Sequence, residues 1–396
     1  MRRLRRALVC GAAAALALPL GVASAVADDE DDTVVIGDPV VVAEGLDSPR
    51  GLALDRRGSL WIAQAGSGGD GPCFPGVVGE TCLGPSGRIS VLHDPDQGVG
   101  TVRDHVTGLP SLAVEETGGE AIGPSDVAFD SQGRLLATIG LAADPGIRTR
   151  PEADGGIGPS PLASRLDTLN RLDRRSGALD LVADIGAHEL SANPEEDDFD
   201  SNPNSVAARG NRTYVADAGG NALLRVRRNG DVETVFVFPH EAPVQIPGAP
   251  PGAMIEADPV PNSVVVGPDG AFYVGQLTGF PFTPGTATVW RFEVGEEPTV
   301  YADGFTNIID LAFTEDGDLL VLEIAHNGLL AAFGPDGDWT GALIHVDRHD
   351  TSRHTVLLED PLFAPGGIAV RDDHAYISNR SVFAGEGEIL RVQLGH

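Results

Sequence analysis

Polar residues recur at matching places in this chain, each at the edge of a short apolar stretch. Arg50, Asp126, Asn204, Asn262 and Asp310 open such stretches; Gln64, Asp217, Gln276, Glu323 and Asn379 close the ones that follow. Carboxylate and amide oxygens are the donors a hard cation such as Ca²⁺ takes, several at a time. Asp126, Asn204, Asn262, Asp310 and Glu323 are therefore the candidate metal group, with calcium the cation they suit. Gln64, Asp217, Gln276 and Asn379 are the candidate ligand-binding group. Asn, Asp and Ser before a strand also satisfy turn backbone groups. A structural role thus stands beside the functional one.

Other chemistry is sparse. The chain holds no Gly-x-Ser-x-Gly elbow, no His-Glu-x-x-His pair and no phosphate-binding glycine loop. No catalytic residue is assigned. His240, His326 and His374 are scattered among loops and strand starts, while His345, His349 and His354 sit together elsewhere. Glu195 to Asp200 is an acidic run without the alternating spacing of a calcium loop. Gly279-Phe280-Pro281-Phe282-Thr283-Pro284 reads either as an apolar lip for a ligand or as a plug.

What positions these residues is a repeat. Six times a short apolar strand, a tight charged or glycine turn and a second apolar strand recur, starting at Pro49, Ser125, Pro203, Pro261, Ile309 and Gly366. A hairpin repeated this way cannot bury its own faces, but stacked radially the copies bury one another. The expected fold is all-β: a six-bladed β-propeller over residues 28–396. The last repeat lacks a fourth strand after Val392, and Pro39 to Gly45 resembles the other fourth strands. The N-terminal strand should therefore close the last blade and remove the open edge. In such a ring, loops within the repeated hairpins lie on one face. Loops from second to third strands, and between blades, lie on the other. The second class is the long one: Gly66 to Gly87, Leu141 to Ser164, Gly186 to Asn202, Pro239 to Val260, Leu277 to Ala287 and Arg380 to Gly387. Long loops on a rigid scaffold are where binding sits. A small molecule or a protein is the expected partner there.

Composition bounds the rest. Residues 1–27 carry a basic start, an apolar run from Ala7 to Leu20 and small-x-small cleavage sites at Ala23 to Ala27, a secretory signal peptide. The product should be exported, without a membrane span, and monomeric. Net charge is −31, and removing four leader arginines makes it −31 − 4 = −35. Such a surface repels nucleic acid. It serves solubility or attracts cations. Cys73 and Cys82 bracket a small glycine-rich loop and read as one local disulfide in an oxidising compartment.

Four phrases carry a family resemblance: Gly66 to Cys73, Tyr214 to Asn221, Gly275 to Phe282 and Gly304 to Phe313. With them the chain resembles the ScyD/ScyE family of NHL-like six-bladed propellers. That resemblance implies an exported propeller and no settled reaction. At Pro203-Asn204-Ser205 the chain departs from the family pattern, which has more often an aromatic residue and a glycine. Two functions are expected in consequence. One is a binding or scaffold propeller using its long-looped face. The other is a calcium-dependent hydrolase or lactonase, by analogy with gluconolactonase-like propellers.

Overall fold

The computed structural model describes residues 35–395, apart from Val77 and Asp197. The expected signal peptide therefore lies outside the described residues, as does Asp197 of the acidic run. The described residues form one compact unit. Among the described residues, no helix is long and apolar enough to cross a membrane.

Six antiparallel sheets follow one another along the chain. Their innermost strands are Pro49–Leu54, Pro124–Phe129, Pro203–Arg209, Pro261–Val266, Ile308–Phe313 and Gly367–Arg371. Each of these strands lies against the next, and the sixth lies against the first, so the ring is closed. This is a six-bladed β-propeller.

The local chemistry of each hairpin explains why it forms. In blade one, the Asp55 carboxylate accepts the N–H groups of Arg57 and Ser59, and Gly58 takes a φ of +86° that a side chain would resist. Asp130 does the same for Gln132 and Arg134 in blade two. Four of the six second strands are buried along their whole length, as in Leu60–Gln64 and Leu319–Glu323, and the other two over all but their first one or two residues. Each blade therefore needs a neighbour on both faces. The core answers that need with six apolar clusters, one at each blade junction.

Ring closure follows the expected route. Val40–Leu46 pairs antiparallel with the last strand, Gly387–Gly395, matching Val41 to Leu390 and Ala43 to Ile389. Val42, Ala43 and Leu46 pack with Leu60 and Ile62 of blade one and Tyr376 of blade six.

Blade one is larger than its repeat predicts. Its third strand runs Glu80–Leu92 and its fourth Val102–Val114, with Cys73–Pro75 added at the edge. Cys73 and Cys82 face one another in this extension and are disulfide-bonded, with Cα atoms 4.0 Å apart. The blade-two loop folds onto this extension through Leu83, Leu112, Ile147 and Leu166. Two other long loops also carry structure: an eight-residue helix, Ile185–Ala192, and a small hairpin of Val244–Gln245 with Met254–Ile255.

Candidate functional site

A single backbone irregularity organises the axis. Five of the six innermost strands slip register near their first residues: at Pro49/Leu52, Pro124/Asp126, Pro203/Ser205, Pro261/Ser263 and Ile308/Asp310. Such a bulge leaves residues unpaired and re-aims the side chains around it. Arg50, Ser125, Asn204, Asn262 and Ile309 occupy the slipped positions, and all five line a cavity at the axial mouth. The residue after the slip turns the other way. Asp126, Ser205 and Asp310 line the channel below. The predicted metal group is thus divided: Asn204 and Asn262 face the mouth cavity, Asp126 and Asp310 the channel, and Glu323 lines neither.

Most of these side chains also tie blades together. Asp126 accepts from Ser205 Oγ and from Val206 N–H of blade three, each at 2.9 Å. Asp310 accepts from Ile368 N–H of blade six at 2.8 Å. Asn204 donates to the Asn262 carbonyl, and Asn262 to the Ile309 carbonyl. Arg50 donates to the carbonyl of Ala121 at 2.8 Å. Burial holds both axial carboxyls above the usual range, Asp126 at about 6 and Asp310 at about 8. For Asp310 the facing charge of Asp126 adds to the rise.

The second-strand ends share another device. Gln64, Asp217, Glu323 and Asn379 each accept a backbone N–H from the incoming loop, from Asp47, Asn202, Thr306 and Phe363 respectively. Gln276 occupies the same place in blade four, paired with Pro261. The residue two before Pro261 is Pro259, which has no N–H to donate. Gln276 is 1% exposed, and neither its Oε1 nor its Nε2 has a partner. Asp217 has a further neighbour: Ser201 Oγ lies 2.7 Å from Asp167 Oδ1 and 2.8 Å from Asp217 Oδ2. Burial raises the pKa of both carboxyls. A hydroxyl has one hydrogen, so both contacts are hydrogen bonds only when one carboxyl is protonated.

The mouth cavity, about 180 Å³, collects residues from every blade or its adjoining loops. Its polar side is formed by Arg50, Glu120, Asn202, Asn204 and Asn262. Its apolar side comes from Leu277 and from the blade-five loop between Glu323 and Ala342: Ile324, Leu329, Phe333 and Trp339. Phe333 and Trp339 meet edge to face, ring centroids 5.0 Å apart. Sequence reasoning passed over this loop and Glu120. The signal was present in a tryptophan inside a connection too long for a plain hairpin. Of the proline-rich stretch, Phe282 packs against the blade-five and blade-six core, whereas Phe280 is exposed.

Four histidines lie against acids: His240, His326, His345 and His374. His326 Nδ1 is bonded to the buried Glu323 carboxylate. His240 lies between Glu195, at 2.8 Å, and Asp258, at 3.3 Å. Among the described residues, Glu195, His240 and Asp258 form the group of acidic and histidine ligand atoms close enough to share one ion, and none belongs to the predicted set. Two separate loops, Gly186 to Asn202 and Pro239 to Val260, bring them together, which no spacing in the sequence reveals.

No protein-family model matches the chain, and no curated protein matches it. Solved structures do. A protein of unknown function from Bacteroides thetaiotaomicron superposes with a TM-score of 0.53 at 10% identity, covering 92% of this chain and 76% of that one. A putative gluconolactonase gives 0.50 at 10% identity, covering 90% and 92%. A calcium-binding regucalcin from Agrobacterium tumefaciens gives 0.48 at 14% identity, covering 91% and 95%. At these identities the likeness is one of fold, that of six-bladed propellers.

Proposed function

We propose that this chain is an exported, monomeric binding propeller of the ScyD/ScyE kind, and that its long-looped face takes a small molecule at the axial mouth. The observation that carries the reading is the cavity, to which every blade contributes and which aromatic side chains line together with charged and amide groups. Concave sites with a mainly apolar wall and a few placed polar groups are the usual form of small-molecule sites. The four family phrases and the N-terminal leader support family and export.

Trp339 provides the test. The purified mature protein is titrated with a panel of organic acids, amines, amino acids, sugars and lactones while intrinsic fluorescence and melting temperature are followed. A binder should act in the wild type and lose its effect in Trp339→Phe and in the cavity-filling Ile122→Trp. A panel that moves neither signal, or a binder indifferent to both substitutions, would overturn the reading.

The second reading is a calcium-dependent hydrolase or lactonase. What favours it is the opposition of Asp126 and Asp310 in the channel, which a divalent cation would relieve. Against it stands the division of the five oxygen donors between two cavities and the blade-five rim. A bound calcium would supply charge neutralisation and carbonyl polarisation.

A further inference from the structure

The mouth cavity carries two opposite charges, and this narrows its ligand. Arg50 and Glu120 line it together, and each shifts the ionisation of the other. The Arg50 guanidinium makes one hydrogen bond to protein, from Nη2 to the Ala121 carbonyl, leaving its other donors for the cavity. Burial pushes Glu120 above the usual carboxylate range, so it gains from a cation brought beside it. A plain carboxylate would meet Arg50 but be repelled by Glu120. A plain amine would face the reverse. The same cavity is lined by Leu277, Ile324, Leu329, Phe333 and Trp339, with no charge among them. A cavity of roughly 150 Å³ with apolar walls holds a benzene ring, and this one is about 180 Å³.

We infer that the cavity binds a zwitterion with an apolar side group, that is, an α-amino acid of the phenylalanine or leucine type. The ligand's carboxylate pairs with Arg50, its ammonium with Glu120, and its side chain lies against the Phe333–Trp339 pair. The inference rests on the reading of the mouth as a small-molecule site. It adds the class of molecule, which the fold does not supply.

Three probes of matched skeleton separate the two: L-phenylalanine, 3-phenylpropionate and phenethylamine, titrated into the full mature protein by calorimetry. L-phenylalanine should bind at least about 10-fold more tightly than either single-charge analogue, because each analogue forgoes one charge-assisted hydrogen bond. Glu120→Gln should weaken L-phenylalanine by about 10-fold while leaving 3-phenylpropionate unchanged or tighter. Arg50→Met should do the converse with phenethylamine. Arg50 also ties blades one and two through Ala121, so the Glu120 variant carries the decision if Arg50→Met fails to fold. Equal or tighter binding of either single-charge analogue, lost in Trp339→Phe, would overturn the zwitterion and leave the site standing. Binding of none of the three would overturn the zwitterion; the broader panel would then decide the site.

Discussion

The Ser205 hydroxyl donates to Asp126 Oδ2 at 2.9 Å, across the seam between blades two and three. Ser205 Oγ itself accepts the Val264 N–H of blade four at 3.1 Å. One small side chain thus joins three blades at the axis. Ser205→Ala would leave the buried Val264 N–H without this acceptor and remove a donor from Asp126. The expected loss is about 1–3 kcal/mol per stranded group, read as a lower denaturation midpoint at unchanged m-value. An unaltered midpoint would mean that the seam does not depend on this relay.

Gln276 and Asn379 occupy equivalent places and should answer substitution in opposite ways. Asn379 accepts from Phe363 N–H and donates to the Pro361 carbonyl and Glu388, whereas the Gln276 amide has no partner. Asn379→Leu should cost at least about 2 kcal/mol, and Gln276→Leu should be neutral or stabilising by up to about 1 kcal/mol. Parallel urea melts of the two variants test this. Equal losses would show that Gln276 has a partner in solution.

Stability should fall as pH rises through the range set by the two axial carboxyls. Asp126 and Asp310 hold their protons up to about 6 and about 8 in the folded protein, well above the ordinary carboxylate range. The folded state therefore binds more protons than the unfolded state above that range. The stabilisation is present in acid and is lost as pH rises to about 8. Melting temperature from pH 5 to 9 should show this slope, and Asp310→Asn should flatten it. Calcium decides the second functional reading in the same experiment. If it holds, millimolar Ca²⁺ at constant ionic strength raises the wild-type melting temperature at pH 8 but not that of Asp310→Asn. A wild-type curve indifferent to calcium and to chelator removes that reading.

Deleting residues 34–46 should open the ring. The last strand, Gly387–Gly395, would lose its partner Val40–Leu46, and the junction with blade one would lose Val42, Ala43 and Leu46. An exposed edge of this kind invites association with other chains. The truncated protein should melt far lower and elute as aggregates on gel filtration. A monomer melting like the parent would show that closure does not stabilise the ring.

Much of the architecture was legible because it repeats. Six copies of a two-strand phrase state the fold six times, and the missing fourth strand states how the ring closes. The turns were equally readable, since Asp55 and Gly58 act within a few residues of one another. The cysteine pair was local in the same sense, being two ends of one small loop.

The axial site was only half legible, and the reason is a matter of one residue. By sequence, Asp126, Asn204, Asn262 and Asp310 look equivalent, each near the head of an inner strand. The bulges place Asn204 and Asn262 on the slipped residue and Asp126 and Asp310 just after it, so they face different cavities. Side chains on a strand alternate, so an offset of one changes the face entirely. Contacts between distant residues were out of reach for a different reason. Arg50 and Glu120 come together, as do Glu195, His240 and Asp258, only because segments distant in the chain return to one face. The sequence alone determined the ring, its closure and most of its long loops, but not the blade-five loop between Glu323 and Ala342. Tertiary packing decided which of its many polar side chains tie blades together and which look into the cavity.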